Sequence, residues 1–169
     1  MSGDNRIYES TAGDGLGSDS GIIAVVDAHD LDGFLEESRR GWDGTDLLPT
    51  GGLFTTQGAL ISVGGADVFA WRAMGTSVEV TELEIALDDD ETTNWKSLGV
   101  VPTRKGILLV GGPEALVHYV PCPPNRPVDV QSMWLALTVR PGLVELVLGT
   151  SRASEYPTSL KLVHRNVSY

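Results

Sequence analysis

The apolar positions of this chain fall into short runs, each closed by glycine, proline or a polar turn, and most of the runs carry β-branched residues. That pattern predicts strands rather than helices. Gly21-Ile-Ile-Ala-Val-Val-Asp27 is continuous and apolar, as a strand buried on both faces would be. From Leu53 onward the predicted strands are Ala59–Val63, Val68–Arg72, Ser77–Leu87, Leu98–Val101, Gly106–Val110, Ala115–Val120, Met133–Val139, Leu143–Leu148 and Leu160–Val163. Within Ser77–Leu87, Val78 and Val80 share one parity and Leu83, Ile85 and Leu87 the other. A one-residue slip of this kind predicts a β-bulge near Thr81-Glu82. Met133, Leu135, Leu137 and Val139 alternate with Trp134 and Ala136, which predicts a central strand apolar on both faces. Arg140-Pro141-Gly142 between two such runs reads as a hairpin turn.

One segment changes period. In Ala28–Arg40, Leu31, Phe34 and Leu35 fall at helical spacing, acids crowd the start, and Arg39, Arg40 and Gly41 close the end. This charge order complements the helix dipole, and Asp27 or Asp30 is placed to cap the first turn. Residues 1–20 are rich in Gly, Ser and Asp and read as a flexible acidic arm, with one edge strand around Arg6–Ser10. The expected organisation is therefore that arm followed by a single globular domain over residues 21–169. Its expected fold class is β-rich α+β: a mostly antiparallel sandwich or curved sheet with one short helix packed against it. A faint internal similarity links Thr56–Gly65 with Thr103–Gly112. Either any two glycine-turn hairpins look alike, or two hairpins are duplicated; two copies are too few for a solenoid.

Composition narrows the function. Hydrophobic residues make up 41% of the 169, enough for a core. No apolar run approaches the ~18 residues that span a bilayer, and the start of the chain lacks the pattern of a secretory signal. Cys122 is the only cysteine, so neither an internal disulfide nor a thiolate zinc site can form. A cytoplasmic location is expected. Charge is uneven: residues 1–100 hold 19 acids and 5 bases, residues 101–169 hold 4 acids and 7 bases, and the total is −11. Such a field attracts a basic partner and repels a phosphate backbone, so direct nucleic-acid binding is not expected.

Catalytic and metal motifs are weak. Aligning Gly33 with the calcium-loop glycine puts Ala28 and Arg39 at ligand positions, so Asp27–Gly33 fails as such a loop. Gly149-Thr-Ser151-Arg-Ala153 lacks the second glycine of a nucleophile elbow. Cys122 and His118 do not form a recognisable pair, and His29, His118 and His164 have no ligand spacing. The reading is a non-enzyme with no cofactor and no metal. The binding candidates are acids beside an aromatic: Asp88, Asp89, Asp90 and Glu91 in an exposed loop that ends at Trp95, and Trp42 with Asp43 and Asp46. Mutual repulsion keeps such acids solvated, and an aromatic anchor among charges is the composition of an interaction hot spot.

Two segments, Asp19–Leu31 and Leu60–Trp71, together resemble the mostly-β immunity proteins that bacteria encode beside polymorphic toxins. The resemblance implies a one-to-one complex in which acids cover the basic cleft of a cognate toxin; it carries no catalytic residues. The competing expectation is a structural or assembly subunit, of a phage particle or a secretion apparatus, that uses its sheet edges and N-terminal arm and can form homo-oligomers. A small hydrolase with an unrecognised site is the third reading.

Overall fold

The computed structural model describes residues 6–10, 16, 21–41, 52–64, 70–76, 78–88, 91–121, 124, 134–153 and 156–165, with side chains 6 and 39–41 excepted. Trp42, Asp43, Asp46, Asp89, Asp90 and Cys122 lie outside these residues. Along the chain the elements are β1 (Arg6–Glu9), β2 (Ile22–Asp27), a 3-10 turn (Ala28–Asp30), α1 (Leu31–Gly41), β3 (Leu53–Phe54), β4 (Gly58–Ser62) and β5 (Ala70–Gly75). Next come β6 (Val80–Ala86), β7 (Asn94–Thr103), β8 (Ile107–Gly111), α2 (Pro113–Leu116), β9 (Trp134–Thr138), β10 (Gly142–Thr150) and β11 (Ser159–Arg165). The protein is β-rich, with two antiparallel sheets, one of six strands in the order β1-β5-β6-β11-β10-β7 and one of five in the order β3-β4-β2-β8-β9.

One buried cluster takes side chains from both sheets: Ile23, Val25, Ile61, Leu108, Val110, Leu135 and Leu137 from the smaller, with Trp71, Leu83, Ile85, Val101, Leu146 and Leu160 from the larger. Side chains of the opposite parity in the smaller sheet (Ile22, Ala24, Val26, Leu60, Leu109, Ala136) join Leu31 and Phe34 of α1 and Leu116 of α2 in a second cluster. Strand β2 is therefore apolar at every position before Asp27 because both of its faces are covered, and all six of its residues are buried. Leu16 also reaches the main cluster, at 3% exposure, and Ile7 and Tyr8 of β1 pack against it.

The bulge appears where the parity slip placed it. Met74 pairs with Glu82 and Gly75 with Val80, so Thr81 is the extra residue, and Val80 and Leu83 both reach the core. Val78, on the turn before β6, is 64% exposed. Asp27 is the residue that caps the helical segment, its Oδ1 accepting from the His29 backbone N–H at 2.9 Å. The predicted helix is a 3-10 turn running into α1.

Three expectations are corrected. Ala115–Val120 contains no strand: Pro113 occupies the first turn of α2 behind Gly112, where its fixed φ favours a helical start, and residues 117–121 carry no regular structure. The alternating pattern was outweighed by that Gly-Pro step. Strand β9 has the two faces predicted for it but pairs only with β8 among the described residues, at the edge of its sheet. It looks central in sequence because its opposite parities feed the two different clusters. Finally, Arg140-Pro141-Gly142 is not a hairpin turn, because β9 and β10 belong to different sheets.

That last segment is half of a corner. The pair β7–β10 continues into the pair β8–β9 as both chains pass from one sheet to the other, through residues 104–106 and 139–141. Thr103 Oγ1 donates to the Arg140 carbonyl at 2.8 Å, and Val139 N–H donates to the Gly106 carbonyl at 2.9 Å. Gly106 sits at φ 89°, a conformation that a β-carbon disfavours. The repeat-like segments end up as β4 and β8, which flank β2 on either side, but they lead into different elements, β4 into β5 and β8 into α2.

Phe34 is fully buried, and its ring lies where a β-carbon on Gly58 would approach to 2.8 Å. Phe34→Ala should cost about 3–5 kcal/mol in urea unfolding. A loss under about 0.5 kcal/mol would show that α1 does not dock through this residue.

Candidate functional site

Strands β6 and β7 are consecutive in sequence but not neighbours in the sheet, since β11 and β10 lie between them. The connection at residues 87–93 therefore has to cross the ends of two strands, and it is tied to both. The Leu87 and Asp88 N–H groups donate to the Thr158 carbonyl just before β11, at 2.9 and 3.3 Å. The Thr92 and Thr158 hydroxyls are bonded at 2.7 Å, and Thr93 N–H donates to the Thr150 carbonyl at the end of β10, at 2.8 Å. Four acids in sequence, 88–91, fall in this connection, and two of them, Asp88 and Glu91, are among the described residues. Asp88 is half-buried and Glu91 is exposed.

Trp95 is not a loop residue. It lies on β7, opposite Gly149 of β10, and is 40% exposed. The strand extends further back than its apolar residues do, because pairing with β10 rather than burial defines its first half. A β-carbon on Gly149 would come within 2.9 Å of the Trp95 ring and 2.6 Å of the Thr92 methyl, so the missing side chain makes the space they occupy. From β11, Lys161 places its ammonium 4.3 Å from the ring centroid. The indole is held from two sides while part of it faces solvent.

The solvent-facing parity of the larger sheet continues as a polar surface. Arg72 pairs with Glu84 at 3.0 Å, and Arg165 pairs with Glu145. A Ser97 hydrogen bond and then the Arg165 guanidinium hold the Glu145 carboxyl below the usual carboxylate range. These cross-strand contacts join β5 to β6 and β7 through β10 to β11. At the rim beside the crossing, Thr93, Asn94, Thr150, Ser151 and Arg152 line an open cleft of about 490 Å³.

The structure thus brings Asp88, Glu91 and Trp95 to one end of the six-stranded sheet. The Trp42 group cannot be placed relative to them, lying outside the described residues. Among the described residues no three His, Cys, Asp or Glu side chains group as a metal site would require, and no helix is long and apolar enough to cross a membrane. No protein-family model matches the chain, and no curated protein and no solved structure matches it either.

Sequence reasoning overlooked Gly149, Lys161 and Arg152. Gly149 had a visible signal, a glycine closing an otherwise β-branched and leucine-rich run, which often marks a close approach. Lys161 and Arg152 had none, because their roles arise from strand order.

Gly149→Ala should push the ring or Thr92 off its seat. Because Thr92 is tied to Thr158, the substitution should cost about 1–3 kcal/mol despite the better strand propensity of alanine, and should alter Trp95 fluorescence. Unchanged stability with an unchanged emission spectrum would show that the ring does not depend on the glycine.

Proposed function

We propose that the protein is a non-catalytic protein-binding module of the immunity type, in which the acidic crossing and Trp95 cover a basic surface on a protein partner, in the cytoplasm. The observation that carries the proposal is the placement of half-buried Asp88 and exposed Glu91 at the same sheet end as a half-exposed indole that is already held in place. An aromatic ordered before contact loses little conformational freedom on binding, and the neighbouring acids steer a basic partner toward it. The two sheets are read as the halves of a sandwich, supported by the single core cluster to which both contribute. Such a scaffold would present the crossing from a rigid strand end.

The assembly reading finds its support in β1, a four-residue edge strand near the start of the chain. Against it, edge strand β7 carries three features that discourage strand addition. Leu98 is an extra residue in the register with β10, Lys96 sits where Leu148 pairs, and Pro102 lacks an N–H.

The test is a kinetic binding experiment with the product of the neighbouring gene, at low and high salt. Replacing Asp88, Asp89 and Asp90 by Asn and Glu91 by Gln should slow association about tenfold or more at low salt and leave folding intact. Trp95→Ala should mainly speed dissociation. Rates that the four-fold neutralisation leaves unchanged would reduce the crossing to a solubilising connection.

A further inference from the structure

In a protein with a net charge of −11, arginines find carboxylates easily. Arg72, Arg104, Arg140 and Arg165 each do so, with Glu84, Asp30, Glu79 and Glu145 respectively. Arg152 is the exception: alone among the arginines whose side chains are described, it makes no ion pair with a described residue. It stands in the cleft at the end of β7 and β10, and the other described residues lining that cleft are hydroxyls and an amide. Their donors are largely uncommitted. Asn94 makes no side-chain hydrogen bond among the described residues, and Thr93 has only a long contact of 3.4 Å to the Thr150 carbonyl. Ser151 Oγ accepts from Ala153 N–H at 3.1 Å, which leaves its own proton available.

A guanidinium that shares a cleft with hydroxyl and amide side chains, with no carboxylate among the described lining, is a set of groups that can receive an oxyanion. We propose that this cleft binds the phosphate or carboxylate group of a small ligand, with Arg152 as the charge partner and Thr93, Asn94 and Ser151 supplying hydrogen bonds. A volume of about 490 Å³ exceeds the anion alone, and the cleft is open, so the rest of the ligand has room beside the hydroxyl, amide and methyl groups of its lining. The cleft adjoins the surface proposed for the protein partner and shares Thr93 with the crossing, but its test uses small anions and needs no protein partner.

Backbone amide resonances of the full chain, titrated with inorganic phosphate and separately with acetate at low, constant ionic strength, test the assignment. Saturable shifts at Thr93, Asn94 and Ser151 are expected with at least one anion, and the tighter of the two identifies the group the site prefers. Arg152→Gln should weaken that binding at least tenfold, and Arg152→Lys should restore part of it. Asn94→Asp, which adds a carboxylate and keeps Arg152, should also weaken it at least tenfold. Lys105→Gln removes one positive charge at the other end of β7 and should change nothing. Shifts that fail to saturate with either anion would overturn the proposal, as would equal affinity in the Arg152→Gln and wild-type proteins.

Discussion

Asp27 is the only fully buried carboxylate among the described residues, and three parts of the fold meet on it. It ends β2, the strand packed in both clusters. One oxygen caps the turn that starts α1, through His29 N–H. The other accepts the Arg104 and Lys105 N–H groups, at 2.8 and 3.0 Å, at the corner where β7 passes into β8. A corner between sheets leaves backbone donors that neither ladder can satisfy, and donors left unpaired in the interior cost about 1–3 kcal/mol each. One side chain therefore fixes the helix start and the bend of the ribbon together. The exposed Arg104 side chain adds a longer contact to Asp30, at 3.8 Å, which matters less.

The geometry set at that corner is felt at the far end of the same strands. β7 and β10 leave the corner side by side and end at Asn94 and Thr150, at the rim that carries the acidic crossing and the Arg152 cleft. Strand order then decides the chemistry of the rim. Because β11 and β10 separate β6 from β7, the acidic connection has to bridge them, and its two ends are pinned at Thr158 and Thr150 through Leu87, Asp88 and Thr93. Negative and positive groups thus lie close together on a protein whose overall charge is strongly negative.

Local features were legible in the sequence where one physical cause dominates. The parity slip located the Thr81 bulge, the shift in period located α1, and the acids at its start narrowed the cap to Asp27 or Asp30, of which Asp27 is the one used. Legibility failed where partners are distant. Arg140-Pro141-Gly142 has the composition of a hairpin turn and is a passage between sheets, since turn chemistry reports the bend and not which strand pairs next. Trp95 looked like the end of a loop because Asn94, Lys96 and Ser97 are polar, yet β10 pairs with all of them. The acids were visible as a charge run, whereas the glycine seat, the ammonium of Lys161 and the place of Arg152, without an ion pair among the described residues, depend on which strands lie side by side.

The role of Asp27 is most directly tested by amide hydrogen exchange in Asp27→Asn. Asparagine caps helices about as well as aspartate but offers one oxygen in place of two, so it separates the helix from the corner. Under conditions where both proteins remain folded, His29 should keep its protection while the Arg104 and Lys105 amides exchange at least tenfold faster than in the wild type. Corner amides that exchange at the wild-type rate would contradict the claim that this carboxylate holds the two sheets at their junction.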